Sequence, residues 1–160
     1  MSADGPPITP AGMAQLRARY DHLLGTERPE IVEIVSWAAG NGDRSENGDY
    51  LYGRKRMREI DRELAHLSRR MKKLRVIDPA DQPRRDRVFF GATVIIADEN
   101  DEQRTVNIVG DDEQDAGVGR IGWSAPLARA LRGSAIGDVR TVRLPGGEVE
   151  WEVLGIEYPG

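Results

Sequence analysis

The segment from Tyr50 to Leu74 leaves this chain few options. Tyr50, Met57, Ile60, Leu64, Leu67, Met71 and Leu74 recur at heptad spacing on one stripe, and only Gly53 adds no side chain to it. A helix with so narrow an apolar stripe has to bury it against another helix. The partner lies upstream. Thr9 is placed to cap a helix that opens on Pro10, and Met13, Leu16, Tyr20 and Leu23 follow at the same spacing. Pro29 interrupts the pattern, which resumes at Ile31, Ile34, Val35 and Ala38, so a kink rather than an end is expected there. The glycines of Gly40-Asn41-Gly42 permit a tight reversal. The result is an antiparallel hairpin whose arms, at about 30 residues each, would be about 45 Å long.

Past residue 77 the chemistry changes. Asp78, Pro79, Asp81 and Pro83 end the hairpin and mark a linker over 78–86. Period-two patterns then predict strands over 88–97, 104–109, 138–144 and 148–158, with Pro145-Gly146-Gly147 as a turn and one short helix over 126–131. The expected fold class is therefore α+β. An N-terminal antiparallel helical hairpin (a coiled coil) covers 1–77 with its tip near 40–48, and a small β-sheet domain with one short helix covers 87–160.

Composition narrows the function classes. The 160-residue chain has 39% hydrophobic, 31% charged and only 6% aromatic residues, which suits a coiled coil better than a large globule. It has no cysteine and only His22 and His66, which excludes disulfides, thiolate chemistry and histidine metal clusters. No apolar run approaches the ~18 residues of a membrane span, and residues 1–12 lack the pattern of a secretory signal. A cytoplasmic protein without membrane contact is expected. The net charge of −4 conceals an asymmetry: residues 1–53 sum to −4, residues 54–75 to +7, and residues 76–160 to −7. A basic segment inside an acidic chain points to one surface directed at a polyanion.

The tip reads Gly42-Asp43-Arg44-Ser45-Glu46-Asn47-Gly48-Asp49-Tyr50. Asp43 and Glu46 have the spacing of a capping box at the start of the second helix, and spacing alone favours that reading. The alternative is chemical. Two carboxylates at the far end of a stalk are badly placed to stabilise a core and well placed to be inserted into another molecule. Alone they make a poor Mg²⁺ site, because that ion takes about six oxygens. A useful ion would be shared with a partner's acidic site and a phosphate, as in two-metal phosphodiester hydrolysis. The isolated protein would then have little or no nuclease activity.

Residues 42–63, GDRSENGDYLYGRKRMREIDRE, closely resemble the tip and second arm of the bacterial Gre transcript-cleavage factors, a family of transcription elongation factors. The arginine after Asp43, Tyr52 and the basic run are similar to the GreB branch. The likeness continues through Arg28-Pro29-Glu30-Ile31, IVGDDEQD at 108–115 and APLARAL at 125–131. It implies a monomeric factor, not itself an enzyme, that enters the secondary channel of backtracked RNA polymerase. There Asp43 and Glu46 would help hold a second Mg²⁺, weakly bound or absent in the free protein, and polymerase would cut its own extruded RNA near the 3′ end. Ser45, which matches the family serine, would orient RNA or water. Asn47 and Tyr50 match too, although Tyr50 also falls on the seam. The resemblance further implies an FKBP-like second domain and a polymerase-docking loop at Trp123, Ser124, Ala125 and Pro126, where Gly122-Trp123-Ser124-Ala125 departs from the usual family sequence. Gly48 stands where the family commonly has alanine.

The basic residues Arg44, Arg54, Lys55, Arg56 and Arg58 are the candidate RNA track, with a solvated helix face as the plain alternative. The Asp98–Glu102 segment is expected to be a hairpin turn rather than a calcium loop, and the acids at 111–115 carry no metal-ligand pattern. Two other functions compete with this one: a non-cleaving channel binder that regulates polymerase by obstruction, and a prolyl isomerase, for which Phe89, Phe90, Trp123, Trp151 and Tyr158 are too few to line an aromatic cup, so that docking on polymerase is preferred.

Overall fold

The computed structural model describes residues 4–40 and 47–160. It divides into two compact units, Met13–Lys73 and the combination of Met1–Gly12 with Leu74–Gly160. This division differs from the expected break after residue 77, because the start of the chain belongs with the second unit. Strand β1 (Pro7–Ile8) pairs in parallel with β2 (Arg75–Val76), and Ile8 is fully buried there. The expected linker is also held down. Asp78 caps a short turn at Pro79–Asp81, and the Arg85 guanidinium donates to the carbonyls of Ala80 at 2.7 Å and of Gln82, Pro159 and Gly160 at 3.1 Å each.

In the helical unit, α1 (Pro10–His22) passes through a π-helical turn at Leu23–Glu27 into α2 (Arg28–Ala39), and α3 spans Gly48–Lys73. The interruption expected at Pro29 is taken up one turn earlier. Proline has no N–H to give the carbonyl of Gly25 and its ring presses on that group. The wider π turn, in which Arg28 N–H donates to the Leu23 carbonyl, accommodates both defects. Leu23, Ile31, Ile60, Leu67 and Met71 form the buried seam, with Met13, Leu16, Tyr20, Val35, Met57 and Leu64 packed against it. Contacts run 19 to 63, 28 to 61, 35 to 53 and 38 to 47, so the arms are antiparallel. Gly53, which looked like a gap in the stripe, is where the arms come closest: a Cβ added there would lie 2.5 Å from Val35 Cγ2.

The second unit is a mixed five-stranded sheet in the order β5-β4-β3-β7-β6, where β3 is Thr93–Ala97, β4 Gln103–Val109, β5 Arg120–Gly122, β6 Val139–Leu144 and β7 Gly147–Glu157. All neighbours are antiparallel except β4 and β5. Alternation turns Val94 and Ile96 of β3 and Val106 and Ile108 of β4 to one face, and α4 (Pro126–Leu131) covers it with Ala128 and Leu131. Each such buried Val, Ile or Leu contributes about 1.5–3 kcal/mol. The strand expected from residue 88 begins only at Thr93, because Gly91 turns the chain at φ +88° and Ala92 N–H donates to the Phe89 carbonyl at 3.1 Å. Asp98–Glu102 is the expected turn, with the Asp98 carboxylate accepting from Asn100 and Glu102 N–H at 2.8 and 3.0 Å.

Candidate functional site

The end of the hairpin is built around Asn47. Its side-chain oxygen accepts from Tyr50 N–H at 3.1 Å, which makes it the N-cap of α3, and its amide donates to the Ala38 carbonyl at 2.7 Å, which ties the cap to the last turn of α2. Gly40 closes α2. The cap expected from Asp43, with Glu46 three residues on, thus falls on Asn47. The signal for it was present: Asn is as good a cap as Asp, and Asn47 stands directly before the helix. Asp43, Arg44, Ser45 and Glu46 lie outside the described residues. Gly48, in the first turn, has open space around it.

The basic arm divides by function. Arg56 is spent on the hairpin: its Nε donates to Glu27 Oε1 at 2.7 Å and its Nη1 to Glu59 Oε2 at 3.2 Å, and these bonds, that to Glu27 foremost, raise its pKa further. Its guanidinium is therefore occupied within the hairpin. Arg54, Lys55 and Arg58 are exposed. With Arg62, Arg69, Lys72 and Lys73, also exposed, they follow helical spacing along the side of α3 opposite the seam. Two acids of α3 reach the first arm. Glu63 accepts from Arg19 at 2.8 and 3.0 Å, and Asp61 from Arg28 at 2.8 Å. The Arg19 hydrogen bond holds the Glu63 carboxyl below the usual carboxylate range.

In the second unit, the loop before α4 is closed by its own hydrogen bonds. Ala125 N–H donates to the Gly122 carbonyl at 2.9 Å, Ser124 N–H to Asp111 Oδ1 at 2.9 Å, and Gly122 N–H to Gln114 Oε1 at 3.2 Å. Trp123 meets Phe90 edge-on at 5.7 Å between ring centroids, while the Arg132 guanidinium lies 3.5 Å from its ring centre and donates to its carbonyl. Burial lowers the Arg132 pKa. Of the four candidate docking residues, Ser124 and Pro126 face solvent, whereas Trp123 and Ala125 are half-buried. The Tyr158 hydroxyl donates to the Arg87 carbonyl at 2.6 Å and accepts from Phe89 N–H at 2.8 Å. Trp123, Phe90 and Tyr158 are thus engaged within the second unit.

The acidic loop at 111–115 has structural work that the sequence did not disclose. Glu113 accepts from Thr9 N–H at 3.1 Å, from Gly110 N–H at 2.9 Å and from the Thr9 hydroxyl, and that hydroxyl caps Gly12 N–H at 3.0 Å. A Cβ at Gly12 would collide with the Glu113 carboxylate. Among the described residues, no group of three or more His, Cys, Asp or Glu side chains is placed to hold a metal ion. No helix among them is long and apolar enough to cross a membrane.

Comparison with known proteins accounts for nearly the whole length. The family profile "Transcription elongation factor, N-terminal" matches residues 6–76, and "Transcription elongation factor, GreA/GreB, C-term" matches 82–158. Transcription elongation factor GreB of Neisseria meningitidis serogroup B is 50% identical over 151 residues, 94% of this chain and 93% of its own. GreB of Pseudomonas aeruginosa is 46% identical over 160 residues, 99% of this chain and 94% of its own. A solved GreA/GreB structure from Nitrosomonas europaea aligns over 96% of this chain and 99% of its own at 19% identity, with a TM-score of 0.42. The sequence relatives carry the assignment.

Proposed function

Because this chain belongs to the GreA/GreB family of transcription elongation factors, we propose that it stimulates cleavage of backtracked nascent RNA by RNA polymerase. On this reading the hairpin enters the secondary channel, where Asp43 and Glu46 complete a site whose other half is the polymerase's. The observation that carries it is Asn47. With the cap of α3 supplied by that side chain, neither acid is needed to start the helix.

Two carboxylates bring too few oxygens for Mg²⁺ alone but suit an ion shared with further acids and a phosphate. When bound, that ion would activate water and steady the charge that develops during hydrolysis. Asp43 and Glu46 would hold it from the factor's side, and Ser45 would orient RNA or water beside them. Arg54, Lys55 and Arg58 neutralise phosphates of the extruded strand. Arg44 is a fourth candidate, and Ser124 and Pro126 are candidates for the rim contact with polymerase. Polymerase supplies the reacting centre, so the factor works as a cytoplasmic monomer that contributes residues in trans.

The test is short-RNA release from a stalled, backtracked polymerase. Asp43→Asn and Glu46→Gln should each slow release by at least ~10-fold, a modest expectation for damage to a metal site. Equal release with wild type and Asp43→Asn would sink the reading. If neither protein released RNA yet both obstructed initiation, the non-cleaving channel binder would stand instead.

A further inference from the structure

Two tyrosines open α3, and they are not in the same position. Tyr50 is half-buried, whereas the Tyr52 side chain is 61% exposed, and Leu51 before it is 51% exposed. Large exposed apolar side chains are absent from Met57 to the end of α3, so this exposure is confined to the end of the arm near the tip. Lys55 lies one turn on from both residues, and Arg54 and Arg58 follow Leu51 on the same face. All three cations are exposed. Of the four acids of α3, Glu59, Asp61 and Glu63 are engaged by Arg56, Arg28 and Arg19, and Asp49 stands in the first turn, five residues before the nearest of these cations.

An aromatic ring and an aliphatic side chain set among unneutralised cations discriminate between partners. An apolar protein wall would have to strip water from Arg54, Lys55 and Arg58 to reach the ring, at a cost nothing on that wall returns. Unpaired nucleic acid satisfies both halves, with a base on the ring and phosphates on the cations. We propose that Tyr52, flanked by Leu51, is a stacking platform for an unpaired base of the extruded RNA. The proposal rests on the cleavage-factor reading, because it requires the tip to meet RNA inside polymerase.

The test measures affinity for a backtracked polymerase complex in the Asp43→Asn background, so that cleavage does not consume the RNA. Tyr52→Leu should raise the concentration for half-occupancy about 5- to 30-fold, the lower part of what one base–aromatic stack is worth. Tyr52→Phe and Tyr52→Trp should stay within about twofold of the parent. On RNA made abasic at the extruded positions, the Leu variant and its parent should bind alike. The idea is overturned if Tyr52→Leu binds normal RNA complexes like its parent. It is equally overturned if the Leu defect persists in full on abasic RNA, which would make the polymerase wall the occupant. Should Asp43→Asn cleave like wild type, the cleavage reading fails by that result alone, and the affinity series, repeated without divalent metal so that the RNA survives, still decides the stacking question.

Discussion

Gly53→Ala sets two known magnitudes against each other. Alanine in a helix interior is favoured over glycine by about 1 kcal/mol, so on propensity alone the substitution should stabilise α3. The structure predicts the reverse. The new Cβ would stand 2.5 Å from Val35 Cγ2, where ordinary contact begins at 3.4 Å, so one side must give way by about 0.9 Å. Val35 has little freedom to do so, because a β-branched side chain on a helix keeps one strongly preferred rotamer. Overpacking of this kind costs about 1–3 kcal/mol, which leaves a net loss near 1 kcal/mol and, for a unit this size, a Tm lower by roughly 4–8 °C. Helical circular dichroism follows the hairpin, and two controls isolate the cause. Gly48→Ala meets nothing within 4 Å and should stabilise or be neutral. Adding Val35→Ala to Gly53→Ala should recover the clash as a coupling of about 1 kcal/mol or more. If Gly53→Ala instead melts above wild type, in step with Gly48→Ala, the arms do not touch at this point and the register argument fails.

Asn47→Ala removes both the α3 cap and the bond to Ala38, and should destabilise the hairpin by about 1–2 kcal/mol in denaturant unfolding, with Asn47→Asp intermediate because it keeps only the cap. Glu113→Ala strands Thr9 and Gly110 N–H groups and should cost about 2–3 kcal/mol; an unchanged melt would show that water replaces the carboxylate. Because Arg19 depresses the folded-state pKa of Glu63, the pair contributes fully above the ordinary glutamate value of 4.5 and loses that contribution as pH falls through the lower folded value. Wild type and Arg19→Ala should therefore converge in Tm at acid pH, and a constant difference down to pH ~2 would refute the coupling. Each of Arg54→Ala, Lys55→Ala and Arg58→Ala should flatten the salt dependence of binding to backtracked complexes by about 0.7 in log–log slope, whereas no change would return these residues to a solvated face.

What the sequence disclosed depended on how far apart the cooperating residues stand. The seam was readable because a long heptad stripe repeats its own signal, and Ile60, Leu67 and Met71 are buried as the spacing required. Gly53 was misread because a missing side chain and a close approach look alike in one dimension. The three residues of β5 are too few to show a period, and the apolar run from Val88 hid the turn at Gly91. Glu113 was illegible for a different reason: its partner Thr9 is 104 positions away. The chemical reading of Asp43 and Glu46 rests on resemblance alone, since their spacing by itself described a helix cap.

The ion pairs on the hairpin explain why its basic face is cleaner than its composition suggests. The outermost pairs, Arg19 with Glu63 and Arg28 with Asp61, are partly in solvent, where such pairs contribute at most ~1 kcal/mol each. Their larger effect is on placement. The antiparallel register brings Arg19 and Arg28 of the first arm to Glu63 and Asp61, while Glu59 is matched by Arg56. Three of the four acids of α3, all but Asp49 in its first turn, are thereby neutralised at the edges of the seam, and the cations on the opposite side keep most of their charge. Replacing Arg19 or Arg28 by alanine should thus weaken binding to a polyanion without touching the binding face, by freeing a carboxylate on its flank. A charge-swapped pair, Arg19→Glu with Glu63→Arg, should restore the ion pair and leave that binding at least as strong as wild type.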